Sequence, residues 1–188
     1  MDINTDKELY EILNKGYFIV DNIFDEEDYK EICYKCKNIT HSYGGTSTSY
    51  NIPNGLSTNI SQGKFCKDIS LNNMILSGIE KKIKPLKQSK CHRLHTNCVQ
   101  KRGNLDYFHI DCNSLDITVL FFLSDNDVNN ITINDYNNFG ELIIYENEKL
   151  IGISPIKNRA VIYYANKFHT GTFTIKNNRY LCVSRYTL

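Results

Sequence analysis

Apolar positions near the start of the chain recur at helical spacing. Thr5 and Glu8 form the sequence pattern of a capping box, in which Thr5 is the N-cap. Apolar residues follow on one helical face from Leu9, and Gly16 supplies a stop. The pattern predicts a first helix over about residues 5–15.

Four segments with different patterns follow. Residues 17–20 are β-branched and aromatic, which predicts a short strand, and Asp25 is placed to cap a second helix that reaches about Lys37. Residues 41–65 are rich in Gly, Ser, Thr and Asn without an apolar period, which predicts a long loop of the kind that forms functional lids. From Ile69 to Ile83 apolar residues recur every three or four positions, which predicts a third helix.

After Pro85 the pattern changes to short runs rich in Ile, Val, Tyr, Phe and Thr, each bounded by Gly, Asn, Asp or Pro. Eight such runs predict strands: CHRLHTNCVQ, LDYFHID, DITVLFFLS, ELIIYE, KLIGIS, RAVIYY, TFTI and RYLCVSRY. Successive strands without helices between them indicate an antiparallel sandwich or barrel, and the jelly roll has this strand count. The predicted fold class is therefore mainly β (α+β), a double-stranded β-helix with N-terminal helices packed on one sheet.

Length, charge and cysteine content restrict the class of protein. A chain of 188 residues suits one domain, 1–188, with helical support over 1–84 and a jelly-roll core over 85–188. A net charge of +1 lacks the excess of positive charge that general nucleic-acid binding needs. Without a long apolar stretch or a signal-peptide pattern, we expect a cytoplasmic protein with no membrane partner.

The seven cysteines are odd in number and scattered, which favours free thiols in a reducing compartment. Cys33 and Cys36 have the spacing of half a zinc site, but a second half is missing from the sequence. They also lie on a helical pattern where they share one face. We therefore interpret them as buried thiols.

Three potential metal ligands stand out once the strands are placed. His109 and Asp111 lie two apart at the end of a strand run, so strand alternation sends both side chains to one face. His169 follows the strand RAVIYY, where a jelly roll can fold it back beside them. Two imidazoles and a carboxylate that leave three metal positions open suit Fe(II) oxygenases. Arg179, on the next strand, can hold the far carboxylate of a 2-oxo diacid by two parallel hydrogen bonds.

Several pieces of the second half occur in a fixed order: His109-Ile110-Asp111, the strand VLFFLSD, Gly140-Glu141-Leu142, the strand RAVIYY, His169, and Arg179-Tyr180. With them, residues 108–186 resemble the catalytic core of the 2-oxoglutarate and Fe(II)-dependent dioxygenases, in particular the prolyl 4-hydroxylase-like branch. The early segment GYFIVDNIFDEEDYKEI resembles the N-terminal strand and helix of that branch. The resemblance implies that His109, Asp111 and His169 bind iron, that Arg179 binds the 2-oxoglutarate C5 carboxylate, and that all four are catalytic.

Two departures from the family pattern bear on the substrate. Phe139 stands where the family often has a glycine, and the segment SDNDVNNITINDYNNF is longer than the family needs. Loops at the barrel mouth are where these enzymes meet their substrates, so prolyl specificity stays open.

Four further residues are candidates for the pocket. Tyr107 shares the alternation face of His109 and is a candidate for the co-substrate pocket, with a core aromatic as the alternative. Arg185, on the same strand face as Arg179, is also a candidate for co-substrate binding, against an exposed cation or an ion-pair partner. For His92 and His95 we favour satisfied or solvated histidines over pocket residues.

The resemblance implies a hydroxylase that uses Fe(II) and 2-oxoglutarate, with ascorbate as a further cofactor, and releases succinate and CO2. Its substrate would be a peptide, prolyl or other, or a small molecule. Two alternatives remain. One is an AlkB-type nucleic-acid demethylase, because Arg179 and Arg185 together resemble the arginine pattern of those enzymes. The other is a non-catalytic jelly-roll binding module. The sequence does not indicate an oligomeric state.

Overall fold

The computed structural model describes residues 3–38, 42–43, 56–59, 69–99, 108–123, 140–172 and 179–187. Within these ranges the helices are α1 (Asp6–Leu13), α2 (Glu26–Asn38), α3 (Ile69–Lys82) and a short 3-10 helix (Lys84–Gln88). The three α-helices lie where their apolar periods predicted them. None of the helices in this part of the chain has the length and apolarity needed to span a membrane.

The predicted capping box of α1 is confirmed in detail. The hydroxyl of Thr5 accepts a hydrogen bond from the backbone N–H of Glu8 at 3.2 Å. The carboxylate of Glu8 accepts from the backbone N–H of Thr5 at 3.1 Å. Two donors that the helix cannot satisfy internally are thereby paired, which fixes the start of α1.

The strands form two antiparallel sheets. Those of the large sheet, in spatial order, are β1 (Tyr17–Asp21), β8 (Arg159–Tyr164), β5 (Ile117–Phe122), β10 (Arg179–Thr187), β4 (Lys90–Val99), β3 (Leu56–Asn59) and β2 (Ser42–Tyr43). Those of the small sheet are β7 (Lys149–Ile153), β6 (Leu142–Glu146) and β9 (His169–Gly171). The two sheets face each other, as in the predicted jelly roll, and the helices pack on the large sheet from outside.

Strand alternation divides the large sheet into two buried faces. The outer face packs against the helices, and its residues include Val119, Ile162 and Cys182. The inner face packs against the small sheet, and its residues include Leu120, Val161 and Val183. Because both faces are covered, β5 is buried at every position, which explains its continuous apolar sequence.

Helical residues expected to cover the sheet do so: Leu9, Ile32, Ile75 and Ile79 are fully buried in the outer-face cluster, with Ile12 packed against it. Cys33 and Cys36 are buried free thiols on α2, as predicted.

Two sequence predictions need correction, and a third falls mostly on residues outside the described ranges. Residues 41–65 were predicted as a loop, but they contain β2 and β3, and β3 pairs with β4 from Leu56 to Asn59. Backbone pairing at a sheet edge needs no apolar period, so the pattern gave no signal. The run LDYFHID was predicted as a strand, but its described part forms one isolated bridge at His109. The strand predicted at TFTI, residues 172–175, lies outside the described residues apart from Thr172, and β9 ends immediately before it.

Asn158 fastens the start of β8 to the turn before α2. Its side-chain amide donates to the carbonyl of Phe24 at 2.7 Å, and its side-chain oxygen accepts from the N–H of Phe24 at 3.0 Å. The residue is 3% exposed and has a φ of 58°, a left-handed conformation that asparagine tolerates well.

We expect Asn158→Ala to lower the free energy of unfolding by about 3 kcal/mol, because two backbone groups of Phe24 lose their partners and alanine is strained at positive φ. The matched control is Asn147→Ala. Asn147 is an exposed turn residue with a φ of 49°, so this variant is destabilised by the backbone strain alone. Urea denaturation of both variants measures the difference. Equal losses would show that the Asn158 hydrogen bonds contribute nothing.

Candidate metal centre

His109, Asp111 and His169 converge at one end of the space between the two sheets. One ligand atom from each side chain lies within 4.8 Å of the other two, and in the described part of the chain these three residues form the one group of this kind. We call them the ligand cluster. The sequence analysis named the same three residues.

Backbone hydrogen bonds hold the two ligand segments together. The N–H of His109 donates to the carbonyl of His169, and the N–H of His169 donates to the carbonyl of His109, both at 2.9 Å. The N–H of Asp111 donates to the carbonyl of Ala165 at 2.8 Å. The rings of the two histidines consequently lie with their centroids 4.4 Å apart. The His109 segment is therefore positioned by the connection between β8 and β9.

The His169 ring is oriented so that one nitrogen is available to a metal. Nδ1 lies 2.9 Å from the backbone carbonyl of Lys167, an acceptor, so Nδ1 carries the proton. Nε2 is then left with a lone pair, and it faces the hydroxyl of Tyr163 at 3.4 Å. A carbonyl behind a ligating imidazole is the usual support in metal sites.

Asp111 is held by two side chains of the large sheet. The hydroxyl of Thr118 donates to Oδ2 at 2.9 Å, and Nη2 of Arg185 lies 3.0 Å from Oδ1. Burial alone would raise the pKa of Asp111, but the imidazole of His169, the charge of Arg185 and the Thr118 hydrogen bond together hold this pKa below its usual value. The carboxylate is therefore ionised at neutral pH, as a ligand must be.

The residues behind the ligand cluster are direct neighbours across the sheet. Tyr163 of β8 pairs with Thr118 of β5, Thr118 with Arg185 of β10, and Arg185 with Arg93 of β4. We call these four residues the transverse row. All lie on the inner face, and sequence analysis missed the roles of Thr118, Tyr163 and Arg93. A polar residue at one position of an otherwise apolar strand was the available signal.

The predictions for the other site residues compare with the structure in different ways. Arg185 is 6% exposed and paired with Asp111, so the ion-pair alternative is correct and the exposed-cation alternative is wrong. Arg179 begins β10, but its side chain lies outside the described parts of the structure, as does all of Tyr107. His92 pairs with Asp116 at 3.0 Å.

His95 lies on the inner face of β4 and is 6% exposed. Burial, followed by the nearby charge of Arg93, lowers the pKa of His95 to about 3. The imidazole therefore stays neutral at any physiological pH. Burial likewise lowers the pKa of His169, against the opposing charge of Asp111, which keeps that ring free of a proton that would compete with a metal.

The donor set fits Fe(II). Two imidazole nitrogens and one carboxylate form the facial arrangement of non-haem iron oxygenases, and the cluster contains no thiolate that would favour a softer metal. Each oxygen of Asp111 already has one partner but keeps a second lone pair.

The sequence matches no model of a known protein family and no curated protein. The structure is similar to a Trichoplax adhaerens prolyl hydroxylase in complex with a hypoxia-inducible factor peptide fragment, with a TM-score of 0.68 at 18% identity over 97% of this chain and 93% of that chain. The chain has the fold of the 2-oxoglutarate oxygenases.

Two further solved structures are also similar to this chain. A 2OG-Fe(II) oxygenase family protein from Burkholderia pseudomallei matches with a TM-score of 0.71 at 11% identity, over 100% of this chain and 93% of that one. HygX from Streptomyces hygroscopicus with nickel and 2-oxoglutarate bound matches with a TM-score of 0.62 at 10% identity, over 97% and 87%. The similarity therefore extends over nearly the whole chain, including the N-terminal helices.

We expect Thr118→Val to weaken binding of a divalent metal about tenfold, because the isosteric valine no longer orients Asp111. Calorimetric titration with Co(II) measures the affinity. Ser184→Ala is the matched control, since this buried hydroxyl of the neighbouring strand donates to the carbonyl of Val119 and not to a ligand. If Thr118→Val and Ser184→Ala bind metal equally well, Thr118 does not position the ligand.

The buried neutral state of His95 predicts a pH dependence of stability. The unfolded chain takes up a proton at this residue below about pH 6.5, whereas the native protein does so only near pH 3. The stability contribution is present above pH 6.5 and is lost as the pH falls. Between pH 7 and pH 5 the metal-free wild type should lose about 2 kcal/mol more than His95→Gln. Urea unfolding at both pH values tests this, and parallel pH profiles would contradict it.

Proposed function

We propose that this protein is a 2-oxoglutarate- and Fe(II)-dependent dioxygenase that hydroxylates a C–H bond and releases succinate and CO2. The convergence of His109, Asp111 and His169 on one point is the observation that carries the proposal. The shared fold supports it, because in the HygX structure the same fold binds nickel and 2-oxoglutarate. We treat residues 1–188 as one catalytic domain.

In this proposal the ligand cluster holds iron through three positions and leaves three open. Bound iron supplies the activation of O2 and the oxidation of 2-oxoglutarate and substrate. Arg179 binds the C5 carboxylate of 2-oxoglutarate by two charge-assisted hydrogen bonds, with Tyr107 lining the same pocket. Its place at the start of β10, the strand that also carries Arg185, supports this role.

The remaining side chains keep the ligands in their working state. Thr118 and Arg185 hold Asp111 ionised, and the carbonyl of Lys167 directs Nε2 of His169 to the metal. We therefore assign Arg185 to the support of the iron ligand, with its remaining donors directed to co-substrate or substrate.

For the substrate we propose a peptide, prolyl or other, or a small molecule. The Trichoplax prolyl hydroxylase, with its peptide fragment, supports a peptide. Ascorbate is a candidate reductant for the iron. The free thiols of the described cysteines suit a reducing compartment, and we propose the cytoplasm.

One observation favours a second candidate, an AlkB-type nucleic-acid demethylase. Arg185, the second arginine of the pattern that suggested this class, is buried at the ligand cluster and paired with Asp111. Incubation with methylated oligonucleotides tests it: formaldehyde release and salt-sensitive binding would support demethylation, and the absence of both would remove it.

We expect the wild type, incubated with Fe(II) and labelled 2-oxoglutarate, to release succinate and CO2 slowly without added substrate. His109→Ala and Asp111→Ala should abolish this release, because each removes a ligand from a three-ligand site. Lys149→Gln, at an exposed position of β7, is the control for loss of activity during purification and assay. If the wild type gives no more succinate than His109→Ala, the catalytic proposal fails. Metal and 2-oxoglutarate binding without turnover would then identify a non-catalytic binding module.

A further inference from the structure

Arg93 and Arg185 form a like-charged pair inside the protein. They are direct cross-strand partners in the β4–β10 register. Both belong to the transverse row on the inner face, next to the ligand cluster. Like charges directly opposite each other in a sheet destabilise it unless something compensates them. The pair therefore needs a source of negative charge.

Asp111 compensates one of the two cations. It lies 3.0 Å from Nη2 of Arg185, which is 6% exposed. No carboxylate in the described part of the chain forms an ion pair with Arg93, although Arg93 is half-buried. Burial and then the charge of Arg185 lower the pKa of Arg93, and the charge of Asp111 opposes this shift without forming an ion pair with Arg93.

Two neighbouring groups also bear on the need for a negative charge. Nε and Nη2 of Arg185 are buried and have no hydrogen-bond partner among the residues that the structure describes, although Nη2 lies within ion-pair distance of Asp111. A buried guanidinium donor without an acceptor is costly, and a bound anion would remove that cost. His95, next along the inner face of β4, is neutral and adds no charge of either sign.

The bound co-substrate would not change this balance. The charge of Fe(II) equals that of 2-oxoglutarate with opposite sign, and Arg179 adds a further positive charge. Among the described residues, Asp111 forms its ion pair with Arg185, so that Arg93 is left without an ion-pair partner next to the ligand cluster.

We propose that Arg93, together with the free donors of Arg185, binds an anionic oxygen group of the substrate, a carboxylate or a phosphate. The inference rests on the proposed function, because it assigns the substrate class of the same site. A planar guanidinium offers two parallel donors that match either group. The substrate is then an acidic molecule or segment, and a neutral prolyl peptide lacks the group that Arg93 selects.

The test uses the full chain with ¹⁵N-labelled arginine, loaded with Zn(II) as a diamagnetic metal and saturated with 2-oxoglutarate. The probes are N-acetylglycinate, methyl phosphate and the neutral N-acetylglycinamide. We expect either anion, but not the amide, to shift the side-chain NMR signals of Arg93 and Arg185 to saturation. The tighter of the two anions identifies the carboxylate or the phosphate class.

Variants assign the effect to Arg93. Arg93→Met should weaken binding of the anion about tenfold, the usual cost of losing a charged hydrogen bond. Arg159→Met is the matched control and should not, because Arg159 pairs with Asp21 at the far edge of the large sheet. Equal weakening by both variants would overturn the assignment.

The same sample separates this inference from the proposed function. Binding of 2-oxoglutarate to the zinc protein without any later anion titration at Arg93 keeps the dioxygenase proposal and overturns the substrate class. A shift of Arg93 by 2-oxoglutarate itself, with no further anion bound, also overturns it. Anion binding at Arg93 without 2-oxoglutarate binding supports the anion site and counts against the dioxygenase.

Discussion

The pair of reciprocal backbone hydrogen bonds between His109 and His169 is the contact on which the site depends. It joins a segment without regular strand pairing to the first residue of β9. Because main-chain hydrogen bonds fix the two α-carbons, the imidazoles are brought together before any side-chain contact is made. Asp111 follows two residues later and is fixed by the carbonyl of Ala165. The rigid part of the site is thus backbone.

Side chains of the large sheet support the ligand Asp111 in a way that backbone hydrogen bonds cannot. The inner face of this sheet is apolar along most of its length and becomes polar at the transverse row, directly behind the ligand cluster. There Thr118 and Arg185 balance the cost of burying an ionised Asp111. The positive charge needed to keep that carboxylate ionised also leaves Arg93 beside a second cation. Stabilising the ligand and selecting an anion thus follow from one arrangement of charges.

Much of the fold could be predicted from the sequence because its patterns are local. The capping residues Thr5 and Glu8 and the apolar period of α3 mark helices without reference to the rest of the chain. β3 and β9 could not be predicted, because their positions depend on hydrogen bonds to partners distant in sequence.

The same distinction applies to the site. His109, Asp111 and His169 could be proposed because spacing and order identify that ligand set. Thr118 could not, since a single threonine in a fully buried strand stands out as polar but does not reveal its partner Asp111, which lies in another segment. For Arg185 the sequence predicted the face of the strand but not that its ion-pair partner is Asp111.

The joining of distant segments at His109 and His169 has a consequence for how the chain is held together. A divalent ion on these side chains would be a non-covalent cross-link, closing a loop that contains the four strands β5 to β8. Closing a long loop restricts the unfolded ensemble more than closing a short one. Metal binding would therefore stabilise the folded state of the whole barrel. Metal binding and folding would then be linked equilibria.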